Sequence, residues 1–195
     1  MRPDVDTTSA GLIGGTASVV LASNGLNSGL STSSLGSQTV SISASVYDRG
    51  VASVNSATKV DTLSLVLSGS LGATVTHSYD IYNLLQTTDY TGALDLVGFP
   101  GTGGTDKLYS GLSTCTIDAD SSHSFTASLD TSVLGDYSAT YTLDLQDAAS
   151  DGIDGGVVHQ TLYVQLSGHV VPEPSTGILL AAALLALAAY LRRRR

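Results

Sequence analysis

The chain has 195 residues, of which 42% are apolar and only 13% are charged, and its single cysteine, Cys115, rules out an internal disulfide. Residues 1–170 hold 16 aspartates against four basic residues, whereas the last four residues are all arginine. Because so acidic a body repels nucleic acid and anionic lipid, we expect no nucleic-acid partner.

The N-terminal region differs in composition from the rest of the chain. Residues 16–23 form a short apolar run that is typical of a strand, and residues 23–37, SNGLNSGLSTSSLGS, are a low-complexity segment that we predict to be a loop or linker. Asp4 and Asp6 stand where the apolar run of a secretion signal would begin, so the N-terminus is not predicted to be one. Because the arginines of residues 192–195 imply a translocated body, we expect such a signal to lie upstream of Met1. We assign residues 1–37 to this region.

The body, residues 38–170, is predicted to consist of half-buried strands. Apolar and polar residues alternate with a period of two and are rich in Thr, Tyr and Val, which indicates antiparallel strands. The segments are residues 38–47, 60–68, 74–82, 93–97, 114–119, 124–129, 137–146 and 161–166. No helical periodicity occurs before Thr176. The sequence therefore predicts an all-β antiparallel sandwich of about eight or nine strands, immunoglobulin-like or jelly-roll-like.

Residues 129–145, LDTSVLGDYSATYTLDL, resemble the E–F corner and F strand of immunoglobulin-like sandwiches. The resemblance rests on Asp130, Gly135, Tyr137 and Ala139, and it implies that the Tyr137 hydroxyl bonds back across the corner. Ala139 stands where antibody-type domains have a cysteine, so their inter-sheet disulfide is absent. The alternative is that Tyr137 is simply the first aromatic residue of a strand.

Motifs for catalysis do not occur in the sequence. There is no G-x-S-x-G elbow and no zinc-ligand spacing, and the four histidines lie far apart. We interpret Cys115 as a small buried hydrophobe and His77, on an apolar strand face, as a core residue. We therefore expect neither enzyme activity nor a cofactor.

One acidic loop could bind a cation. Residues 144–156, DLQDAASDGIDGG, carry Asp147, Asp151 and Asp154 beside flexible glycines, and such hard oxygen ligands suit calcium. The spacing is not that of an EF-hand. The alternative is a solvated acidic hairpin loop with glycine turns.

The C-terminal tail is predicted to be a single transmembrane helix. Residues 178–191 are apolar on every face, unlike an amphipathic core helix, although they are short for a bilayer span of about 20 residues. The basic flank lets long side chains reach the headgroups and places the C-terminus on the cytoplasmic side. This flank consists of Arg192, Arg193, Arg194 and Arg195. A buried core helix is the alternative.

The whole tail, residues 171–195, resembles the PEP-CTERM sorting signal. The resemblance rests on a Pro-Glu-Pro motif, an apolar helix at residues 177–191 and the terminal arginines of residues 192–195, in that order. The motif residues are Val171, Pro172, Glu173, Pro174 and Ser175. The resemblance implies that an exosortase, a membrane-embedded transpeptidase, recognises and removes the tail of an exported protein from a bacterium that makes exopolysaccharide.

These observations lead to one main hypothesis and two alternatives. The main hypothesis is an exported, non-catalytic protein of the cell surface or extracellular matrix, associated with exopolysaccharide and biofilm, that starts as an inner-membrane-anchored precursor. Its expected partners are an exosortase, the membrane and extracellular polysaccharide. The first alternative is a carbohydrate-binding or adhesive module, for which Tyr90 and Tyr109 are the predicted loop aromatics. The second is a secreted hydrolase with paired carboxylates.

Overall fold

A computed structural model describes residues 6–23, 29, 31, 33–149, 158–173, 182–185 and 192. Within these residues the chain forms twelve strands. They are β1 (Gly11–Ser23), β2 (Ser33–Val46), β3 (Val51–Ser53), β4 (Thr62–Ser70), β5 (Val75–Leu84), β6 (Leu94–Gly98), β7 (Gly101–Gly103), β8 (Leu108–Ser110), β9 (Cys115–Ile117), β10 (Ser121–Leu129), β11 (Gly135–Asp147) and β12 (His159–Val171).

The strands form three sheets. The body contains a four-stranded sheet in the order β3-β5-β10-β8 and a six-stranded sheet in the order β4-β12-β11-β6-β9, in which β7 also pairs with β11. Strands β1 and β2 pair only with each other, as a two-stranded ribbon. The all-β sandwich predicted from alternation is therefore confirmed.

One core joins the two body sheets. From Ala139 in β11 and Leu162 in β12, every second residue is buried, and these residues meet the inward face of β5 and β10. Contact is close at Gly168 of β12, where a Cβ atom would lie 2.6 Å from Leu129 Cδ1 of the other sheet. The Tyr79 hydroxyl bonds to Ser110, and burial raises the pKa of Tyr79 to about 12. Alternation thus places one face of each sheet in a shared dry layer.

The structure differs from the sequence prediction in three respects. The pair β4–β12 is parallel, whereas we predicted antiparallel strands from the sequence. These two strands are distant in sequence, and they run side by side in the same direction. Strands β3, β7 and β8 were not predicted, since each has only three residues and, unlike the equally short β9, none lies within a longer segment that is typical of a strand. Residues 33–37, which we predicted to be loop, belong to β2, because they continue its pairing with β1.

Candidate functional site

The C-terminal segment leaves the body from the interior of the six-stranded sheet. Strand β12 lies between β11 and β4; it is paired on both sides as far as Val170 and with β4 alone at Val171. Val170 faces Gly135 and is 3% exposed, and Val171 faces Ser70. The Leu71 amide donates to the Val171 carbonyl at 2.9 Å. The folded body therefore extends to Val171.

The peptide becomes accessible directly after this last paired residue. Pro172 has no N–H group with which to extend the ladder, and both Pro172 and Glu173 are exposed. Pro174 and Ser175, the other two predicted motif residues, lie outside the described residues. Two of the five predicted motif residues thus lie outside the sheet, and no core side chain has to move to expose them.

The predicted tail helix is described only in part. Residues 182–185 are α-helical, as is Arg192. Leu184 is 58% exposed and Leu185 is 72% exposed, so neither side chain is buried as in a core helix. The remainder of residues 177–191 and Arg193, Arg194 and Arg195 lie outside the described residues. Among the residues that are described, no helix has the length and apolar character needed to cross a membrane.

Of the predicted calcium ligands, the structure describes only Asp147. Its side chain is 1% exposed, and Oδ2 accepts a hydrogen bond from Arg49 Nη1 at 2.8 Å. Asp151 and Asp154 lie outside the described residues, and within the described ranges no three acidic, His or Cys side chains are grouped to hold a metal. The neighbouring Asp144 bonds to His159. Calcium binding by this loop stays a prediction.

The predicted corner is present. The Tyr137 hydroxyl donates to the Val133 carbonyl at 3.0 Å, across the turn that leads into β11. Gly135 has a φ of +147°, and a Cβ atom there would lie 3.3 Å from the Tyr137 hydroxyl oxygen. Ala139, at the position of the absent cysteine, is buried. Tyr137 is thus a corner tyrosine rather than only a strand aromatic.

Two other predicted side chains can now be placed. Cys115 is half-buried in β9, where burial, and to a smaller extent Asp95, raises the pKa of its thiol, so it stays protonated at neutral pH. His77 is exposed, and its prediction as a core residue is wrong. Val75 and Tyr79 on the same face of β5 pack against the core, but the His77 side chain between them remains exposed to solvent.

The sequence did not predict two features of the structure. One is the pairing of β1 with β2 as a separate ribbon, and the other is the Lys107–Asp130 ion pair. Lys107 Nζ lies 2.7 Å from Asp130 Oδ2, and a hydrogen bond from Lys107 lowers the pKa of Asp130 to about 2. The residues lie 23 positions apart. No local pattern could therefore have paired them.

Comparison with known proteins gives one match in sequence. Residues 170–195 match the PEP-CTERM protein-sorting motif. No curated protein matches the chain.

Several solved structures share a similar arrangement of strands. A PapD-like domain of human CEP192 aligns with a TM-score of 0.43 and 12% identity, over 56% of this chain and 81% of that chain. CfaE, the adhesive subunit of CFA/I fimbria of enterotoxigenic Escherichia coli, aligns with a TM-score of 0.40 and 12% identity, over 82% of this chain and 59% of that chain. A protein of unknown function from Porphyromonas gingivalis aligns with a TM-score of 0.31 and 13% identity, over 83% of this chain and 68% of that chain.

These structural likenesses are remote, and the fold described above depends on the strand pairing of this chain alone. The match in sequence is confined to the segment that leaves β12. The C-terminal segment, residues 170–195, is a PEP-CTERM protein-sorting motif.

Proposed function

We propose that this protein is an exported, non-catalytic surface or matrix protein, and that an exosortase recognises residues 171–175 and removes the tail. The observation that carries the proposal is the position of the motif. The last ladder residue, Val171, is followed at once by the exposed Pro172 and Glu173. Cleavage after this point would leave every core side chain in place.

The rest of the tail would hold the precursor in the membrane until cleavage. Residues 177–191 would insert as an apolar helix, and residues 192–195 would stay at the cytoplasmic face, which places the body outside. The body would then pass to the cell surface or to an extracellular polysaccharide matrix. An acidic, hydroxyl-rich body suits a hydrated polymer environment.

Two observations support a non-catalytic body. The one thiol of the chain is protonated at neutral pH, which makes it a poor nucleophile. The Asp147 side chain is 1% exposed and paired with Arg49, so its carboxylate is not accessible to a substrate. The function would then depend on where the protein is placed and on what its surface contacts.

The test is mass spectrometry of the C-terminus of the exported protein, produced in an exosortase-containing host and in the same host without the exosortase. We expect the wild type to lose residues 192–195 only when the exosortase is present. Alanine at Pro172, Glu173 and Pro174 together should preserve residues 192–195 on the protein. Pro100→Ala, at another exposed proline, is the matched control and should be processed normally.

Two outcomes would contradict the proposal. One is an intact Arg195 on exported protein from the exosortase-containing host. The other is equal processing of the wild type and the triple variant, which would show that the motif is not what the enzyme reads.

A second candidate function, polysaccharide binding, is favoured by Tyr163. Its ring is 41% exposed on the outer face of β12, directly opposite Thr142 of β11 and Thr62 of β4. An aromatic ring amid hydroxyl groups on a flat sheet can pack against a sugar ring. Tyr163→Ala should abolish binding on a glycan array. Tyr109, which we predicted as a loop aromatic, lies in β8 with its hydroxyl bonded to the Asp106 carbonyl, so Tyr109→Ala should not, although this tyrosine is 48% exposed.

A further inference from the structure

The β1–β2 ribbon has one apolar face that nothing in the described part of the chain covers. Pairing places Ile13 opposite Ala44, Ala17 opposite Val40 and Gly11 opposite Val46. We call this side the apolar ribbon face, whose apolar side chains are Ile13, Ala17, Val19, Leu21, Val40, Ile42, Ala44 and Val46; Gln38, opposite Val19, is its polar side chain. The opposite side is mostly Ser, Thr and Gly, although Leu12 and Val20 lie there and are 68% and 72% exposed.

This face is separate from the core. No residue of the ribbon belongs to the described body core or packs against it. Val19 is 44% exposed, Leu21 43% and Val40 49%. A two-stranded hairpin alone is marginally stable in water, and an exposed contiguous apolar patch usually marks an interaction site. The ribbon therefore needs a partner surface.

Charge narrows the choice of partner. Residues 7–47 contain no Asp, Glu, Lys, Arg or His, whereas the whole chain has a net charge of −9. A charged partner would find nothing to pair with on this face, and burying its charges there would be costly. The same ribbon on another copy carries no charge either, so the two faces can meet without like-charge repulsion.

The size and the possible symmetry of the contact also favour a second copy of this chain as the partner of the apolar ribbon face. A 13-residue strand extends about 44 Å, and two strands with their side chains are about 10 Å wide. Two such faces would bury roughly 900 Å², which exceeds most crystal-packing contacts but falls short of a standard stable interface. A two-fold axis lets identical faces cover each other, with Ala17 and Val40 near the centre.

We propose that the apolar ribbon faces of two copies of this chain pack against each other as a weak dimer, forming a small four-stranded sandwich apart from the body. From the buried area, we expect a dissociation constant of roughly 10–100 µM. The contact would form where the protein is concentrated, as on a surface, and would dissociate on dilution.

The test is sedimentation equilibrium of the full chain in a mild detergent. Val40→Lys places a charge in the centre of the face and should weaken dimerisation about tenfold or more. Val20→Lys, on the opposite side of the same ribbon, is the matched control and should dimerise like the wild type. Since all three proteins share the tail, any association through the tail is the same in each.

Disulfide cross-linking gives a readout that does not depend on the lysine variants. In a Cys115→Ser background, Val40→Cys should form inter-chain disulfides under mild oxidation, and Val20→Cys should not. A monomeric wild type at about 100 µM, equal effects of the two lysines, or cross-linking at Val20 as fast as at Val40 would each overturn the proposal. If the wild type is monomeric and its binding to neutral phosphatidylcholine vesicles is weakened by Val40→Lys but not by Val20→Lys, the face would be assigned to lipid instead, since the tail is the same in all three proteins.

Discussion

Single residues account for two of the features that stabilise the body. The first is the corner at Tyr137, whose hydroxyl links β11 to the chain four positions earlier. The second is the Lys107–Asp130 pair, whose partners are about one-quarter exposed and which ties the turn after β10 to the start of β8. Both lie at the rim of the sandwich, where loops would otherwise separate from the sheets.

We predict that Tyr137→Phe lowers the free energy of unfolding by about 1 kcal/mol, because it removes one hydrogen bond but keeps the ring. Urea denaturation followed by far-UV circular dichroism measures this. Tyr163→Phe removes a hydroxyl from an exposed strand tyrosine and serves as the control, with no expected change. Equal stability of wild type and Tyr137→Phe would show that the corner bond is not stabilising.

The Lys107–Asp130 pair predicts that the stability of the fold decreases in acid. The folded pKa of Asp130 is about 2, below the usual value of about 3.9 in an unfolded chain, so the pair stabilises the fold above about pH 4. This stabilisation is lost as the pH falls toward 2. Asp130→Asn should therefore lower the melting temperature at pH 6, and its difference from wild type should shrink between about pH 4 and pH 2.

Asp61→Asn is the control for this experiment. Asp61 faces Lys59 at 3.8 Å, and both side chains are more than half exposed, so its loss should change little at any pH. A melting-temperature difference for Asp130→Asn that stays constant down to pH 2 would contradict the prediction.

Among the elements, β12 determines where the folded body ends. It is a central strand with buried Leu162, Val164, Leu166 and Val170 on its inward face. Its partner on one side is antiparallel β11 and on the other is parallel β4. The strand remains paired to its last residue, so the boundary between fold and tail lies at one peptide bond.

We predict that a chain ending at Glu173 unfolds in urea at the same midpoint as the full chain. A chain ending at Gly168 should lose about 2–4 kcal/mol, because it removes the buried Val170 and the pairing of Val171 with Ser70. Loss of stability in the chain ending at Glu173, or no loss in the chain ending at Gly168, would show that the fold ends elsewhere.

At the scale of the whole molecule, the ribbon and the body share no described core, and we expect them to open separately. At about 1 µM, where the proposed dimer has dissociated, ribbon amides should exchange hydrogen at least about 100-fold faster than those of β11 and β12. Hydrogen exchange followed by mass spectrometry of peptides from each part measures this. Equal protection would show that the ribbon packs on the body.

The sequence alone determined the features that depend on near neighbours. All of the predicted strands occur, because a period-two pattern is a local property of each segment. The corner at Tyr137 and the tail motif were equally visible, since each consists of a few residues at short spacing.

Only the tertiary structure decided how these parts meet. Parallel pairing of β4 with β12, the ion pair of Asp147 with Arg49 and the separation of the ribbon from the core all join or divide distant segments. Alternation shows that a strand has an apolar side but not which surface covers it. That choice depends on long-range packing, which left His77 in solvent and buried Asp147.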